Sequence, residues 1–266
     1  MHIDSMANAL KLIFDESMST GLVPEDWKMA HVTPIHKKGA KGDTGNYRPV
    51  SLTSLPCRIM ETCIREQIST HLKENQLINR SQHGFMKHKS CTTNLLEFME
   101  TVIKEYDENG NMDIIYLDFA KAFDKVNKER LLQKIKANRI DQRPLNWIRN
   151  WLSGRRQKTV LNGKSSEWGS VESGVPQGSV LGPLCFNIYI DDLDNSAPNI
   201  TALKKFADDT KAAQKVRHDS DRAILQEGLD NIVNWSKLWG MEFNVLKCKV
   251  MHVGKTNPQF EYFCIS

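Results

Sequence analysis

The chain has 266 residues, 40% of them apolar, enough for one large domain or two modest ones around a real core. Its 36 Lys and Arg against 32 Asp and Glu leave a formal charge of +4, which permits nucleic-acid binding but falls short of the strongly basic footprint that would argue for it alone. Six cysteines, at 57, 63, 91, 185, 248 and 264, form no C-x-x-C pair, which argues against a zinc finger and a disulfide scaffold and suits a reducing, intracellular setting.

The N-terminus mixes charged residues among its apolar ones and lacks a secretory stretch, and no apolar run reaches bilayer length, so a soluble protein with no membrane partner and no visible targeting signal is expected. Met6, Leu10, Leu12, Ile13 and Met18 predict a helix over residues 3–18, ending near Gly21 ahead of Pro24. Residues 27–55 read as strand, loop and strand: an alternation through Met29, Val32 and Ile35, a Lys/Gly loop over 37–45, and an extended piece over 47–52. Ile59, Met60, Cys63, Ile64, Ile68 and Leu72 fall at helical spacing over 57–72, and another helix is expected over 92–106. Ile114, Ile115, Tyr116 and Leu117, bracketed by Asp113 and Asp118, form the best candidate for a buried central strand.

Helices over 131–140 and around 147–151, the second stopped at Gly154, precede an alternating hairpin over 157–171. Residues 179–193 are apolar nearly all round and predict a buried helix with Pro183 in its first turn. An amphipathic helix over 223–239 ends at Gly240, and a strand closes the pattern over 250–253. Helices and strands mix without strict alternation, so the fold class is α+β.

Several polar features admit a chemical and a plain reading. Asp118, where a buried strand emerges, can be held rigidly and still reach a divalent cation, or it can cap a helix from Ala120 onward. Asp208 and Asp209 repel each other and gain from a shared cation, yet Ala202, Lys204, Lys205, Lys211, Ala212 and Ala213 around them favour an ordinary solvated helix. A competing pair, Asp191 and Asp192, ends the apolar helix, where neighbours point about 100° apart and do not face one ion; it reads as that helix's polar exit. The string Ser173-Gly-Val-Pro-Gln-Gly-Ser-Val-Leu-Gly-Pro183 lets backbone approach a ligand and brings the Gln177 amide to a helix N-terminus, or is simply a tight loop. Lys37, Lys38, Lys41 and Arg48 beside a glycine-bearing loop suit polyphosphate or bulk solvent.

Taken in order, seven motifs resemble the reverse transcriptase domain of non-LTR retrotransposons, particularly the Jockey-like and chicken-repeat-like elements. They are Thr33-Pro-Ile-His-Lys-Lys-Gly39, Asn46-Tyr-Arg-Pro-Val-Ser-Leu52, Ser81-Gln-His-Gly-Phe85, Tyr116-Leu-Asp-Phe-Ala-Lys-Ala-Phe-Asp124, the Gln177 string, Phe206-Ala-Asp-Asp-Thr210 and Asn244-Val-Leu-Lys-Cys-Lys249. The resemblance implies right-hand polymerase fingers and palm with a ferredoxin-like palm sheet. It places a helical extension at 1–26, fingers at 27–110, the first palm motif at 111–130, an insertion with a hairpin at 131–170, and the remaining palm motifs at 171–266. The family continues into a primer grip and thumb, so a fragment with the thumb absent or truncated is expected.

The resemblance also implies two Mg²⁺ ions, with Mn²⁺ as substitute, held by Asp118, the Phe119 carbonyl, Asp208 and Asp209, the last two on a hairpin turn. Lys37 and Arg48 match residues that grip the incoming triphosphate, Gln177 and Gly178 the nucleotide pocket, and Phe123 the bulky residue that rejects a ribose 2′-hydroxyl. Lys247 matches, more weakly, a lysine that protonates pyrophosphate. The implied partners are an RNA template, a DNA primer and deoxynucleoside triphosphates, with location in nucleus or cytoplasm; the competing reading is a non-catalytic nucleic-acid-binding remnant of such a polymerase.

Overall fold

The computed structural model describes residues 3–108 and 110–263 and has a mixed α/β fold. In chain order its elements are α1 (Ile3–Thr20), β1 (Met29–His36), β2 (Tyr47–Leu52), α2 (Leu55–Glu74), α3 (Cys91–Asp107), β3 (Met112–Leu117), α4 (Ala122–Lys125), α5 (Lys128–Ala137), α6 (Gln142–Leu152), β4 (Arg156–Leu161), β5 (Lys164–Ser165), β6 (Gly169–Ser170), α7 (Gly182–Ile190), β7 (Ala202–Phe206), β8 (Asp209–Lys215), α8 (Asp219–Trp239) and β9 (Lys249–Val253). Among the described residues no helix is long and apolar enough to cross a membrane. Cys57, Cys63, Cys91, Cys185 and Cys248 are free thiols, and Cys264 lies outside the described residues.

One compact unit comprises the described residues up to Leu77 together with Asn127–Cys185. Its sheet runs β2-β1-β4-β5, with β6 also paired to β4. The expected strand, loop and strand at 27–55 form an antiparallel hairpin with Ile35 opposite Arg48. The alternating stretch after Gly154 supplies β4, which pairs with β5 and also joins β1 in parallel, Met29 opposite Arg156. Local periodicity carries no sign of that long-range parallel pairing. In the same unit, Trp147 and Trp151 of α6 are fully buried, and the Trp147 indole N–H donates to Ser17 Oγ at 2.9 Å, tying α1 to α6. Burying apolar side chains of this size contributes about 1.5–3 kcal/mol each.

The second unit comprises Ile78–Val126 and the described residues from Phe186 onward. Its sheet runs β7-β8-β3-β9, antiparallel at every pairing, with β3 inside it as its apolar run predicts. Phe98 and Val102 of α3 pack with Met112, Ile114 and Ala213 on the sheet. The expected amphipathic helix is α8, which opens with a capping box between His218 and Asp221 and closes at Gly240, whose φ of 70° is the left-handed turn a helix C-terminus favours.

One expected boundary shifts, and two of the plain local readings fall away. The buried helix begins at Gly182 rather than Ser179, because the Val180 and Leu181 amides are drawn off to the Glu61 carboxylate at 2.7 and 3.0 Å before the helix starts; it ends at Ile190, where a 3-10 turn over Asp191–Ser196 follows. The Ala/Lys-rich stretch around Asp208 is no helix: β7 and β8 form a hairpin in which Ala212 and Ala213 are fully buried, so tertiary burial overrides local propensity. Asp118 does not cap a helix either, since α4 starts after Lys121, which stands in left-handed conformation at its N-cap.

Candidate active site

β3 carries one aspartate near its start and another just past its end, and the two have opposite environments. Asp113 is fully buried and spends its oxygens on Tyr262 Oη at 2.6 Å, His252 Nδ1 at 2.7 Å and Asn257 Nδ2 at 2.8 Å. It is a structural anchor for the chain after β9. Asp118, beyond Leu117, is half-buried and reaches solvent.

The register brings the other two carboxylates to Asp118. Leu117 pairs with Thr210 of β8, so the next step places Asp118 beside Asp209, and Asp208 lies in the two-residue turn between Phe206 and Asp209. Burial pushes the Asp208 carboxyl above the usual range, reinforced by the charges of Asp209 and Asp118. Asp209, although its side chain reaches solvent, is pushed up by the protein around it and by the Asp118 carboxylate. Three like charges on a partly dry floor favour a cation.

Lys247 supplies one. Asn244 N–H donates to the Asp118 carbonyl at 2.7 Å and Ala120 N–H to the Glu242 carbonyl at 2.7 Å, which ties the start of the 3-10 turn Val245–Lys247 to the sheet end. From that turn the Lys247 ammonium donates to both Asp118 oxygens, at 2.9 and 3.1 Å. Neither tying bond uses the Phe119 carbonyl; the Phe119 ring is buried and stacks on Phe243 at 4.3 Å. Among the described residues, no three His, Cys, Asp or Glu side chains are grouped so as to hold a metal ion. The chemistry of the donor set, all hard oxygen, nonetheless fits a divalent cation.

Phe123 of α4 is half-buried and stacks on the fully buried Phe186 with centroids 4.5 Å apart and planes at 9°, while Phe85 meets it edge-on at 6.0 Å. It is a ring wall fixed from behind. Asp191 and Asp192 are spent elsewhere, Asp191 accepting from Asn79 N–H at 2.7 Å and Asp192 from the Trp235 indole at 2.8 Å.

The first unit holds the remaining sequence candidates. Arg48 stands opposite Ile35, and Lys37 follows Ile35 by two, so both point to one face of the β1–β2 hairpin, and both are exposed. Gln177 is half-buried and its carbonyl accepts the Ser51 N–H of β2 at 2.7 Å. Gly178 has a φ of 101°, and a Cβ there would sit 2.8 Å from the Ser51 carbonyl, so only glycine fits. Behind the loop, fully buried Glu61 of α2 also accepts from the Trp151 indole at 3.2 Å.

Sequence reading passed over three residues that shape these sites: Glu61, Gln82 and Lys205. Glu61 stands out in the sequence as a carboxylate inside an apolar helical stripe, and Gln82 belongs to the motif Ser81-Gln-His-Gly-Phe85, whose spacing carries no sign of its role. Gln82 is buried, its Oε1 accepting from Ala207 N–H at 2.9 Å and Gly84 N–H at 2.7 Å and its Nε2 donating to the Ala207 carbonyl at 3.3 Å. Lys205 of β7 is fully buried, donating to the Ile190 and Asp191 carbonyls at 3.2 and 3.1 Å and to the Asp194 carboxylate.

The family model for reverse transcriptase (RNA-dependent DNA polymerase) matches residues 35–265. The RNA-directed DNA polymerase from mobile element jockey of Drosophila melanogaster is 29% identical over 253 residues, covering 92% of this chain and 28% of that protein. The probable RNA-directed DNA polymerase from transposon BS of the same species is 27% identical, covering 90% and 27%. The chain thus spans about a quarter of the length of these curated relatives. Among solved structures, apo telomerase from Candida tropicalis, truncated from its C-terminal domain, shares the fold with a TM-score of 0.63 at 15% identity, covering 95% of this chain and 56% of that one. With nearly the whole chain matched, and with homologues among the polymerases of jockey and other non-LTR retrotransposons, this chain belongs to the reverse transcriptase family.

Proposed function

We propose that the chain is the catalytic core of an RNA-directed DNA polymerase, extending a DNA primer on an RNA template with deoxynucleoside triphosphates. The observation that carries this reading is the gathering of Asp118, Asp208 and Asp209 at one end of the four-stranded sheet. Numbered in chain order, β3, β7, β8 and β9 are strands one to four and lie in the order 4-1-3-2, with helices after the first and third. That order supports reading the sheet as a ferredoxin-like palm. The β1–β2 hairpin is assigned to fingers.

Asp118, Asp208, Asp209 and the Phe119 carbonyl would hold two Mg²⁺ ions, or Mn²⁺ in their place, which when bound supply Lewis-acid stabilisation to the attacking and leaving oxygens. The chain's own groups do the rest. Lys247 Nζ donates to both Asp118 oxygens and is assigned to deliver a proton to departing pyrophosphate. Lys37 and Arg48, on one hairpin face, are assigned to the triphosphate, arginine by paired hydrogen bonds and lysine as a mobile charge. Gln177 and Gly178 are assigned to the nucleotide pocket, where the missing Cβ admits a close approach. Phe123 is the wall against a 2′-hydroxyl, with Phe186 preventing its retreat.

The test is primer extension by the purified chain on a primed RNA template. Extension should need Mg²⁺, stop with chelator and fall by at least about 10³-fold in Asp208→Ala, the scale on which transition-state charge stabilisation is lost. Undiminished extension by that variant overturns the assignment.

A further inference from the structure

The turn that presents Asp208 is unusual for its sequence. Phe206 pairs with Asp209, leaving Ala207 and Asp208 as a two-residue hairpin turn, and Ala207 has a φ of 54°. The first position of such a turn normally takes glycine, because a Cβ disfavours left-handed backbone. An alanine turn left to itself would relax towards negative φ and carry Asp208 with it.

A neighbouring segment prevents this. Residues 81–84 lie parallel to β7, with Lys205 N–H donating to the Ser81 carbonyl and His83 N–H to the Lys205 carbonyl, both at 2.9 Å. This pairing places the Gln82 carboxamide two residues further along, where it grips both polar groups of Ala207. Only a carboxamide of this length offers an acceptor and a donor together; a carboxylate lacks the donor. The third bond, to Gly84 N–H, braces Gln82 itself, and Asn187 of α7 donates to the Gly84 carbonyl at 2.8 Å. Gly84 must lack a side chain, since a Cβ would overlap the Ala207 amide nitrogen and come within 2.9 Å of its Cα.

We infer that Gln82 is the positioning residue of the catalytic turn: by clamping the Ala207 backbone it holds the Asp208 carboxylate at the sheet end that carries Asp118. This rests on the polymerase reading above for its kinetic consequence, though not for its geometric one. Gln82 touches no reacting atom. It acts through Ala207.

The test uses the full chain carrying Gln82→Met, of similar length without hydrogen bonds, and Gln82→Asn, which keeps the carboxamide one methylene short and covers the case in which the first does not fold. Both should lower kcat for primer extension by about 10-fold or more while KM for the nucleotide stays within about two-fold, the signature of misplacement rather than lost binding. Both should also weaken Mn²⁺ binding, followed by electron paramagnetic resonance without substrate. Adding Ala207→Gly should restore part of the kcat, because glycine accepts the left-handed turn unaided. Unchanged kcat and Mn²⁺ affinity overturn the proposal, as does a loss that Ala207→Gly leaves untouched. If the unaltered chain adds no nucleotide, the polymerase reading fails by itself, and the Mn²⁺ comparison still decides whether Gln82 holds the turn.

Discussion

Glu61 in the first unit and Lys205 in the second are both fully buried, and each meets one end of α7. Glu61 receives the Val180 and Leu181 amides just ahead of the helix; Lys205 donates to the Ile190 carbonyl at its close. The signs follow the helix dipole, anion at the amino end and cation at the carboxyl end. The compensation differs. Lys205 pairs directly with the Asp194 carboxylate, whereas Glu61 takes N–H donors from Val180, Leu181 and Trp151 and the thiol of Cys57 at 3.3 Å, with the buried Arg155 guanidinium acting on it from beyond hydrogen-bond reach. The two cases teach that a buried charge can be satisfied by a direct ion pair plus carbonyls or by oriented amides with a more distant cation, and that in both a loop or turn next to it is fixed.

Substitutions can break that parallel. Lys205→Met removes one partner of a buried ion pair and should cost about 3–5 kcal/mol in denaturant-monitored unfolding, leaving Asp194 uncompensated. Glu61→Ala strands several buried donors and should cost about 3 kcal/mol, while Glu61→Gln, which keeps an acceptor, should cost clearly less. Equal losses from the two Glu61 variants would mean that net charge, not the amide contacts, holds the Gln177 loop.

A smaller effect sharpens the contrast in chemistry. Phe123→Ala should raise ribonucleotide incorporation relative to deoxyribonucleotide by about 10-fold, within the range a hydrophobic wall can discriminate, and an unchanged ratio removes the gate role. The smallest effect lies at Glu97 of α3, whose carboxyl the Lys204 hydrogen bond at 2.7 Å holds below its ordinary value. A depressed carboxyl stabilises the fold above its unfolded pKa of about 4.3 and stops doing so as pH falls through the folded one. Because Glu97 is about half exposed, the wild-type advantage over Glu97→Gln should be at most about 1 kcal/mol at pH 7 and vanish on acidification, as urea midpoints would report.

Helices and the central strand were legible wherever a single period ran unbroken, as in Ile59 to Leu72 or Ile114 to Leu117. The region around Asp208 was not, because alanine and lysine carry helix propensity in isolation while burial against the sheet decides their state. The start of α7 was misplaced for a related reason: the Glu61 carboxylate that captures its preceding amides lies more than a hundred residues upstream. Asp118, Asp208 and Asp209 each had an innocuous local reading; the order of the motifs singles them out together by resemblance, and the register of β3 against β8 is the physical reason that they share one sheet end. Gln82 was invisible for the same reason, its partner standing 125 residues away.

The attachment of Gln177 through its main chain also bears on engineering. The carbonyl, not the amide side chain, makes the bond to Ser51, so that tie does not depend on which side chain, proline aside, stands at the position. Codon randomisation at 177 would therefore explore side-chain chemistry on a constant scaffold. At 178 or 182, where an added Cβ meets the Ser51 carbonyl at 2.8 Å or the Pro176 carbonyl at 2.7 Å, the same library would mostly sample broken loops.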